Sequence, residues 1–446
     1  MISLIWFVLY SLMIMSILLV SCFLLFFGLI WLLMIGTLSN GNIELPNGPV
    51  RNVGMEKNMF LSRYPKRVGT RVYFRKIIQH SSTTVHVVKL QFQEKTFSFL
   101  TKREDGTHKE YGGNKVRALE FLLPYARKKT MLIPSTPGSN LCVASLKHRT
   151  TNENVVPLLM FPEAISRDNG KNARFTCTNC DRCEIGIYER FFVSLPRAIR
   201  ALVTGSEYVV APGGANVQGA LGYISIPLEM EAEGIFPKHI WLTVGSGATL
   251  VGMVIGIALV RRKRTSWRPC IHGVCVNGIV CMYCPWIYRY YLRTMTIRIA
   301  RLLKMWGLPD LEDDLVNVLL PTCVSLDMSQ AGRDHGAFNS RTLSVRTTFR
   351  RAHVDDRRQH RSEQRSISPP EICSTYTSKT ASAMLAFLAC HPEMTTEDTL
   401  FLSTKCTLSS TDDNDAEQSY NAVKTKMRRK QPKLCQWIDK CFLSPS

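Results

Sequence analysis

Charge is missing from the start of the chain: residues 1–38 hold no Asp, Glu, Lys or Arg and are built largely of Ile, Leu, Phe, Trp, Val and Met. A bilayer span needs about 20 such residues, and this run is nearly twice that. It is too long for the apolar region of a signal peptide, which is shorter and ends in small residues. The sequence therefore predicts a transmembrane anchor over residues 1–38, either one tilted span or a hairpin of two short ones. The first basic residues, Arg51, Lys57, Arg63, Lys66 and Arg67, all follow the run. The expectation is a membrane-bound protein whose bulk faces the cytoplasm.

Acidic residues are also scarce, 35 against 56 basic ones, for a net charge of +21. Such an excess points to nucleic acid, an anionic membrane surface or a basic disordered segment, and its distribution favours the last. Arg341, Arg346, Arg350, Arg351, Arg357, Arg358, Arg361 and Arg365 crowd among Ser, Gln and His within residues 323–372. That segment lacks apolar periodicity and reads as a basic, disordered insertion. A membrane surface suits it as a partner, and nucleic acid does not enter the expected partners. A regular disulfide framework is absent too. The 15 cysteines are odd in number and irregular in spacing, which predicts reduced thiols. Cys177, Cys180 and Cys183, and Cys281 with Cys284 near Cys270 and His272, have zinc-like spacings. About a hundred residues separate the two groups, so the expectation is free thiols and no metal.

What is present is a chain of 446 residues, 45% hydrophobic, ample for one large α/β domain or two ordinary ones. Its informative centre runs from Lys102 to Leu123. Lys95–Leu100 alternates apolar and polar residues, as a strand entering a loop does. Gly112, Gly113 and Asn114 make a turn, and Val116, Leu119, Leu122 and Leu123 then fall at helical spacing. Lys115 thus sits at the mouth of a helix beside glycines that let backbone approach a ligand. A lysine walled by apolar groups there is pushed towards its neutral, nucleophilic form. A lysine after Gly-Gly-Asn is otherwise commonly a solvated loop residue, so this stretch does not stand alone.

Further on, Met131–Pro134 reads as a short buried strand. The turn cluster Ser135–Asn140 then leads into a helix, and its Gly-Ser-Asn end offers backbone N–H groups and a hydroxyl to an anion. Tyr208 to Val260 holds an apolar segment, Pro212-Gly-Gly, a helix and the strand His239–Val244. Gly245, Ser246, Gly247, Ala248 and Thr249 then open a second helix. Strand, glycine turn, helix is a phosphate-cradling order, because main-chain N–H groups and the helix dipole favour an anion. The same Trp241–Val260 run, uncharged and followed by Arg261-Arg-Lys-Arg264, also fits a membrane helix with a basic stop, with Gly252 and Gly256 at helix-packing spacing.

Taken in order, Lys-Arg-Glu-Asp…Gly-Gly-Asn-Lys-Val-Arg, Gly-Ser-Asn, Pro-Gly-Gly…Gly-Ala-Leu-Gly-Tyr, Val-Gly-Ser-Gly-Ala-Thr and Thr375-Tyr-Thr-Ser-Lys-Thr380 resemble one family. It groups 1-aminocyclopropane-1-carboxylate deaminase with D-cysteine desulfhydrase, and the likeness covers residues 60–260 and 372–405. The resemblance implies an α/β, tryptophan-synthase-β-like (fold type II) pyridoxal-phosphate enzyme, here preceded by the membrane segment. It implies that Lys115 carries the Schiff base to pyridoxal 5'-phosphate and that Gly245–Thr249 hold the phosphate beside Asn114. Ser139 and Asn140 would face the substrate carboxylate and cofactor ring. Tyr376 matches the family's active-site tyrosine, and Thr377 falls where a side chain meets the pyridine nitrogen. A hydroxyl there, unlike a carboxylate, leaves a weaker electron sink, which leans the match towards β-elimination of D-cysteine. Ammonia and a 2-oxo acid would leave a small amino-acid substrate, with Lys115, Ser139 and Tyr376 as the catalytic set. A homodimer is implied by family.

Three positions depart from the family: Leu141 replaces a histidine, Ala118 a basic residue and Ala248 a glycine. They raise the alternative of a catalytically silent, membrane-anchored binding module; a multi-span membrane protein is the other. The expected organisation is an anchor (1–38), a linker (39–60), a cofactor-binding α/β domain (61–322) and the insertion (323–372). The end of the α/β domain with the Tyr-Thr motif (373–408) and a polar tail (409–446) follow.

Overall fold

The computed structural model describes residues 55–69, 72–79, 83–136, 138–161, 167–180, 184–187, 197, 200–201, 203–276, 285–329, 340–356, 367–370, 372–373 and 376–404. The expected anchor at 1–38, most of the linker, Cys183, Cys281, Cys284, Arg357, Arg358, Arg361, Arg365, Thr375 and the tail lie outside them.

Two sheets carry the fold. The larger comprises β1 (Val85–Phe92), β2 (Lys95–Arg103), β7 (His239–Val244), β8 (Cys270–Cys275), β9 (Val324–Asp327), β10 (His353–Asp356) and β11 (Thr399–Ser403), in the order β10-β1-β2-β11-β7-β8-β9. β1 pairs antiparallel with β2 and β10, whereas β2, β11, β7, β8 and β9 run parallel. The smaller sheet is parallel throughout. It holds β3 (Met131–Ser135), β4 (Val155–Phe161), β5 (Glu184–Ile187) and β6 (Tyr208–Val209), in the order β5-β4-β3-β6. The chain enters it after α2 (Lys115–Leu122) and leaves it into α5 (Val217–Leu221) and α6 (Ser225–Ala232); α1 is the short helix Met59–Arg63. α3 (Asn140–His148) and α4 (Arg167–Asn179) complete the smaller layer. α7 (Ala248–Arg261) and α10 (Thr377–Cys390) pack on β7, α9 (Ser340–Phe349) packs on β1, and α8 (Pro285–Met305) packs on α7.

The Trp241–Val260 run is resolved into the end of β7, the glycine loop and α7. Every residue of α7 is buried, and the helix is 14 residues long. At 1.5 Å per residue that is about 21 Å, short of a hydrocarbon core of about 30 Å. A helix apolar on all sides is one buried on all sides, and β7, paired on both edges, reads as a continuous apolar run for the same reason. Gly252 and Gly256 serve contacts inside the domain: a Cβ on Gly252 would lie 2.5 Å from the Ala220 carbonyl oxygen, and one on Gly256 2.7 Å from that of Ile224. The multi-span alternative is thereby corrected. So is the expected membrane localisation, since among the described residues no helix is long and apolar enough to cross a membrane.

A second correction concerns residues 323–372, expected as a disordered insertion. Their described parts form β9, α9 and β10, and two of these are strands of the larger sheet. On α9, Thr342, Val345 and Phe349 are buried while Arg341 is exposed, as are Arg350 and Arg351 just past its end. Phe349 packs on Phe99 and Phe401 with ring centroids 5.9 and 5.7 Å away. A stripe of three buried residues suffices to seat a short helix, and the arginines around it conceal the periodicity.

Buried charges fix α2 against the core. Arg117 Nε and a terminal nitrogen donate to both oxygens of Glu104, at 2.6 and 2.8 Å. The other end of the guanidinium donates to Glu229 at 2.7 and 2.9 Å. Lys102 Nζ donates to Glu229 at 3.0 Å and to the Thr83 carbonyl at 2.8 Å. All four charged side chains are buried. Burial alone would raise the Glu229 carboxyl, but Arg117 and Lys102 override it and hold it down at about 2. Glu120, also buried, accepts from the backbone N–H groups of Ile77 and Ile78. The Lys-Arg-Glu-Asp and Lys-Val-Arg segments thus meet to anchor the helix that presents Lys115.

Candidate active site

Lys115 is the first residue of α2, and its side chain reaches the turn that follows β6. Nζ donates to the carbonyl oxygen of Gly213 at 2.8 Å. Burial lowers its amine from the ordinary 10.5 to about 8, because desolvation disfavours the ammonium form. Gly213 adopts φ +69°, in the left-handed region, where a side chain costs about 1 kcal/mol or more. A Cβ there would lie 2.5 Å from Ser246 Oγ and 3.5 Å from Lys115 Nζ. The lysine, the Pro-Gly-Gly turn and the glycine loop after β7 therefore converge on one point.

The loop itself leads into the N-terminus of α7. Gly247 has φ +87° and stands at the cap with no side chain bonded to the first turn. The first N–H groups of a helix lack intrahelical acceptors, and here no capping side chain takes them. A Cβ on Gly245 would meet nothing within 4 Å, so open space adjoins the loop. Asn114 Nδ2 donates to Thr249 Oγ1 at 2.9 Å. On the other side, Tyr288 of α8 donates from its hydroxyl to the Gly245 carbonyl at 2.8 Å, and Leu292 fills the space where Gly247 lacks a side chain.

Ser139 caps α3, its Oγ accepting from the Leu141 N–H at 3.2 Å. Asn140 Oδ1 accepts from the Tyr111 hydroxyl at 3.2 Å and from Asn172 Nδ2 at 2.8 Å. The cap of α3 adjoins the Lys115 site, since a Cβ on Gly214 would lie 3.7 Å from Leu141 Cδ1 and 3.6 Å from Ala118 Cβ. Tyr376 stands half-buried at the N-cap of α10. Thr377 is buried, and its hydroxyl accepts from the Cys373 N–H at 2.8 Å with Cys373 Sγ 3.6 Å away. One turn on, Thr380 and Thr243 pair through their hydroxyls at 2.7 Å, which sets α10 against the end of β7 that feeds the glycine loop.

Lys115, Asn114, Ser246 and Thr249 are thus joined directly or through Gly213, while Thr377 is engaged with its own helix entry. Sequence reasoning left out Gly213, Tyr111, Asn172, Tyr288 and Leu292. Pro-Gly-Gly after an apolar segment was a usable signal for Gly213. Nothing local marks Asn172, which acts across from another helix.

No family model matches the chain. Its sequence is similar to a Thermotoga maritima protein named for 1-aminocyclopropane-1-carboxylate deaminase, 29% identical over 185 residues, covering 40% of this chain and 59% of the other. A D-cysteine desulfhydrase of Yersinia enterocolitica is 30% identical over 173 residues, covering 35% of this chain and 51% of the other. The chain therefore spans a little over half the length of the curated relatives it matches. The crystal structure of an ACC deaminase homologue superposes with a TM-score of 0.53 at 19% identity, over 81% of this chain and 99% of the other. The resemblance read from the motifs accordingly holds in sequence, and the α/β fold holds in three dimensions.

Proposed function

We propose that the chain is a pyridoxal-phosphate-dependent deaminase or carbon–sulfur lyase of a small amino acid. One observation carries this reading: a lysine amine lowered to about 8 lies within 3.5 Å of the point that a Cβ on Gly213 would occupy, itself 2.5 Å from Ser246 Oγ. Reactive amine and uncapped helix terminus share one cradle, and open space beside Gly245 leaves room for a phosphoryl group. The residues present fit the cofactor. Lys115 would hold its aldehyde through Nζ, and Gly245–Thr249 with Asn114 its phosphate. When bound, pyridoxal phosphate supplies an electron sink for cleavage at the substrate carbons.

The chain's own residues would do the rest. Lys115 Nζ, neutral in about half the molecules near pH 8, is the base that takes a proton from the substrate carbon. Ser139 Oγ, which accepts from the Leu141 N–H, keeps its own proton to donate to a substrate carboxylate. Asn140, whose Oδ1 is held by Tyr111 and Asn172, is the residue expected beside the cofactor ring, and Tyr376 is the expected proton donor to a leaving group. Thr377, whose hydroxyl is engaged by Cys373, offers no carboxylate to a ring nitrogen, which favours D-cysteine over 1-aminocyclopropane-1-carboxylate. The buried Leu141 at the cap of α3 favours a second reading, a cofactor-binding chain without turnover.

The test is release of 2-oxo acid and ammonia, with sulfide from D-cysteine, by the purified, cofactor-loaded chain. Release that falls by at least 10²-fold in Lys115→Ala, within the range for a lost general base, supports the enzyme. A loaded chain that releases nothing from either substrate sinks it and leaves the silent relative.

A further inference from the structure

At the other end of β7 from the glycine loop, three side chains of metal-ligand type meet on one face of the sheet. β7 and β8 run parallel with His239 opposite Cys270 and Trp241 opposite His272. Residues two apart on a strand share a face, so Cys270 and His272 project together beside His239. We propose that His239, Cys270 and His272 form a binding site for a divalent transition-metal ion of the zinc class.

The geometry is close to what such an ion requires. The three ligand atoms all lie within 4.8 Å of one another. His239 Nδ1 and His272 Nε2 face each other at 3.0 Å. With Zn–N near 2.0–2.1 Å and Zn–S near 2.3 Å, tetrahedral ligands stand roughly 3.3–3.6 Å apart. The two imidazoles need to open by only a few tenths of an ångström, and the thiol to close by about one. Aromatic packing holds the ring planes in place. His272 stacks on Trp241, with centroids 4.1 Å apart and planes 9° off parallel, and Phe387 of α10 lies 4.9 Å from His239 and 5.4 Å from His272. All three ligand residues are partly exposed, so an ion has a path in and a water can complete the fourth position.

In the absence of an ion, the same 3.0 Å contact is a hydrogen bond that requires one N–H between the rings. Metal binding needs both facing ring nitrogens free of protons, so the donor imidazole shifts to its other tautomer and stays neutral, and only the Cys270 thiol proton leaves to solvent as the ion binds. The bound ion staples the starts of β7 and β8. The site is separated from Gly245 by the length of β7, roughly 20 Å at about 3.3 Å per residue, so it is structural and independent of the proposed chemistry at Lys115.

The test uses the full chain stripped with a chelator and titrated with Co²⁺, whose thiolate charge-transfer absorption reports sulfur ligation. The expected result is a band that saturates at one ion per chain and is displaced by Zn²⁺. It is lost in Cys270→Ser and retained in Cys390→Ser, which alters an exposed free thiol at the end of α10 that is not among the three ligands. His272→Ala should weaken Co²⁺ binding at least tenfold. Zn²⁺ should also raise the melting temperature of the original chain and leave that of Cys270→Ser unmoved, a comparison made within each protein. Absence of the band in the folded, stripped chain overturns the proposal. So does a band unchanged in Cys270→Ser, which would place the ion on other thiols. None of these readouts depends on pyridoxal phosphate.

Discussion

Asn114 Nδ2 donates to Thr249 Oγ1 at 2.9 Å across 135 residues of sequence. The residue before Lys115 is thereby tied to the first turn of the helix that follows the glycine loop. The contact makes one site of two distant segments and brings α2 and α7 into a fixed relation. Asn114→Ala should leave the fold intact and weaken cofactor binding roughly two- to tenfold, the range for one lost hydrogen bond. Titration of the apo chain with pyridoxal phosphate, followed by absorbance, reads this directly.

The guanidinium of Arg117 is shared between Glu104 and Glu229. Removing it leaves two buried carboxylates facing each other, an arrangement that costs about 3–5 kcal/mol when one partner of a buried pair is lost. Arg117→Leu should therefore lower the urea midpoint far more than Arg127→Leu, whose side chain is half exposed in its pair with Glu153.

Acid should expose the same network. Glu229 has its folded value depressed from 4.5 to about 2, so its contribution is fully present above pH 4.5 and is lost as pH falls towards 2. The melting temperature should drop across that window. In Glu229→Gln the drop should be shallower, starting from a lower value at pH 7. A slope equal in the two proteins would contradict the assignment.

Lys115 gives the opposite test at high pH. Burial disfavours its ammonium form, so the amine should react with an acylating reagent to half its maximal rate near pH 8, while exposed lysines follow a value near 10.4. Between these values the unfolded chain binds more protons than the folded one, so the Lys115 contribution makes stability rise with pH. Site-resolved labelling by mass spectrometry separates Lys115 from the rest.

Gly247 combines φ +87° with a close neighbour, Leu292 Cδ2, 2.1 Å from the place of a Cβ. Gly247→Ala should abolish cofactor uptake by moving α8 or the loop. Adding Leu292→Ala should recover part of it, since the steric conflict goes while a left-handed strain of about 1–2 kcal/mol stays. Equal uptake in the single and double variants would show that Leu292 is not the obstacle.

Much of this was legible in the sequence where local pattern and chemistry agree. Lys115 at the start of a helix, the strand–glycine–helix order around Gly245 and the cap at Ser139 follow from spacing and capping rules. What misled was burial. Hydropathy cannot distinguish a helix surrounded by protein from one surrounded by lipid, and α7 is the former. The arginines around Val345 and Phe349 hid a core helix, because a short helix needs few apolar residues when a sheet supplies the rest. Tyr111, Asn172 and Tyr288 were out of reach, since each acts through a contact that exists only after folding. The Lys-Arg-Glu-Asp motif was visible as a resemblance, yet its reason, the buried Arg117 network, required coordinates.

The account rests on one amine binding the cofactor. The full chain, incubated with pyridoxal phosphate, reduced with borohydride and mapped by peptide mass, should carry the pyridoxyl adduct on Lys115 in near-stoichiometric yield. Adduct spread over surface lysines, with Lys115 unmodified in folded protein, would contradict it.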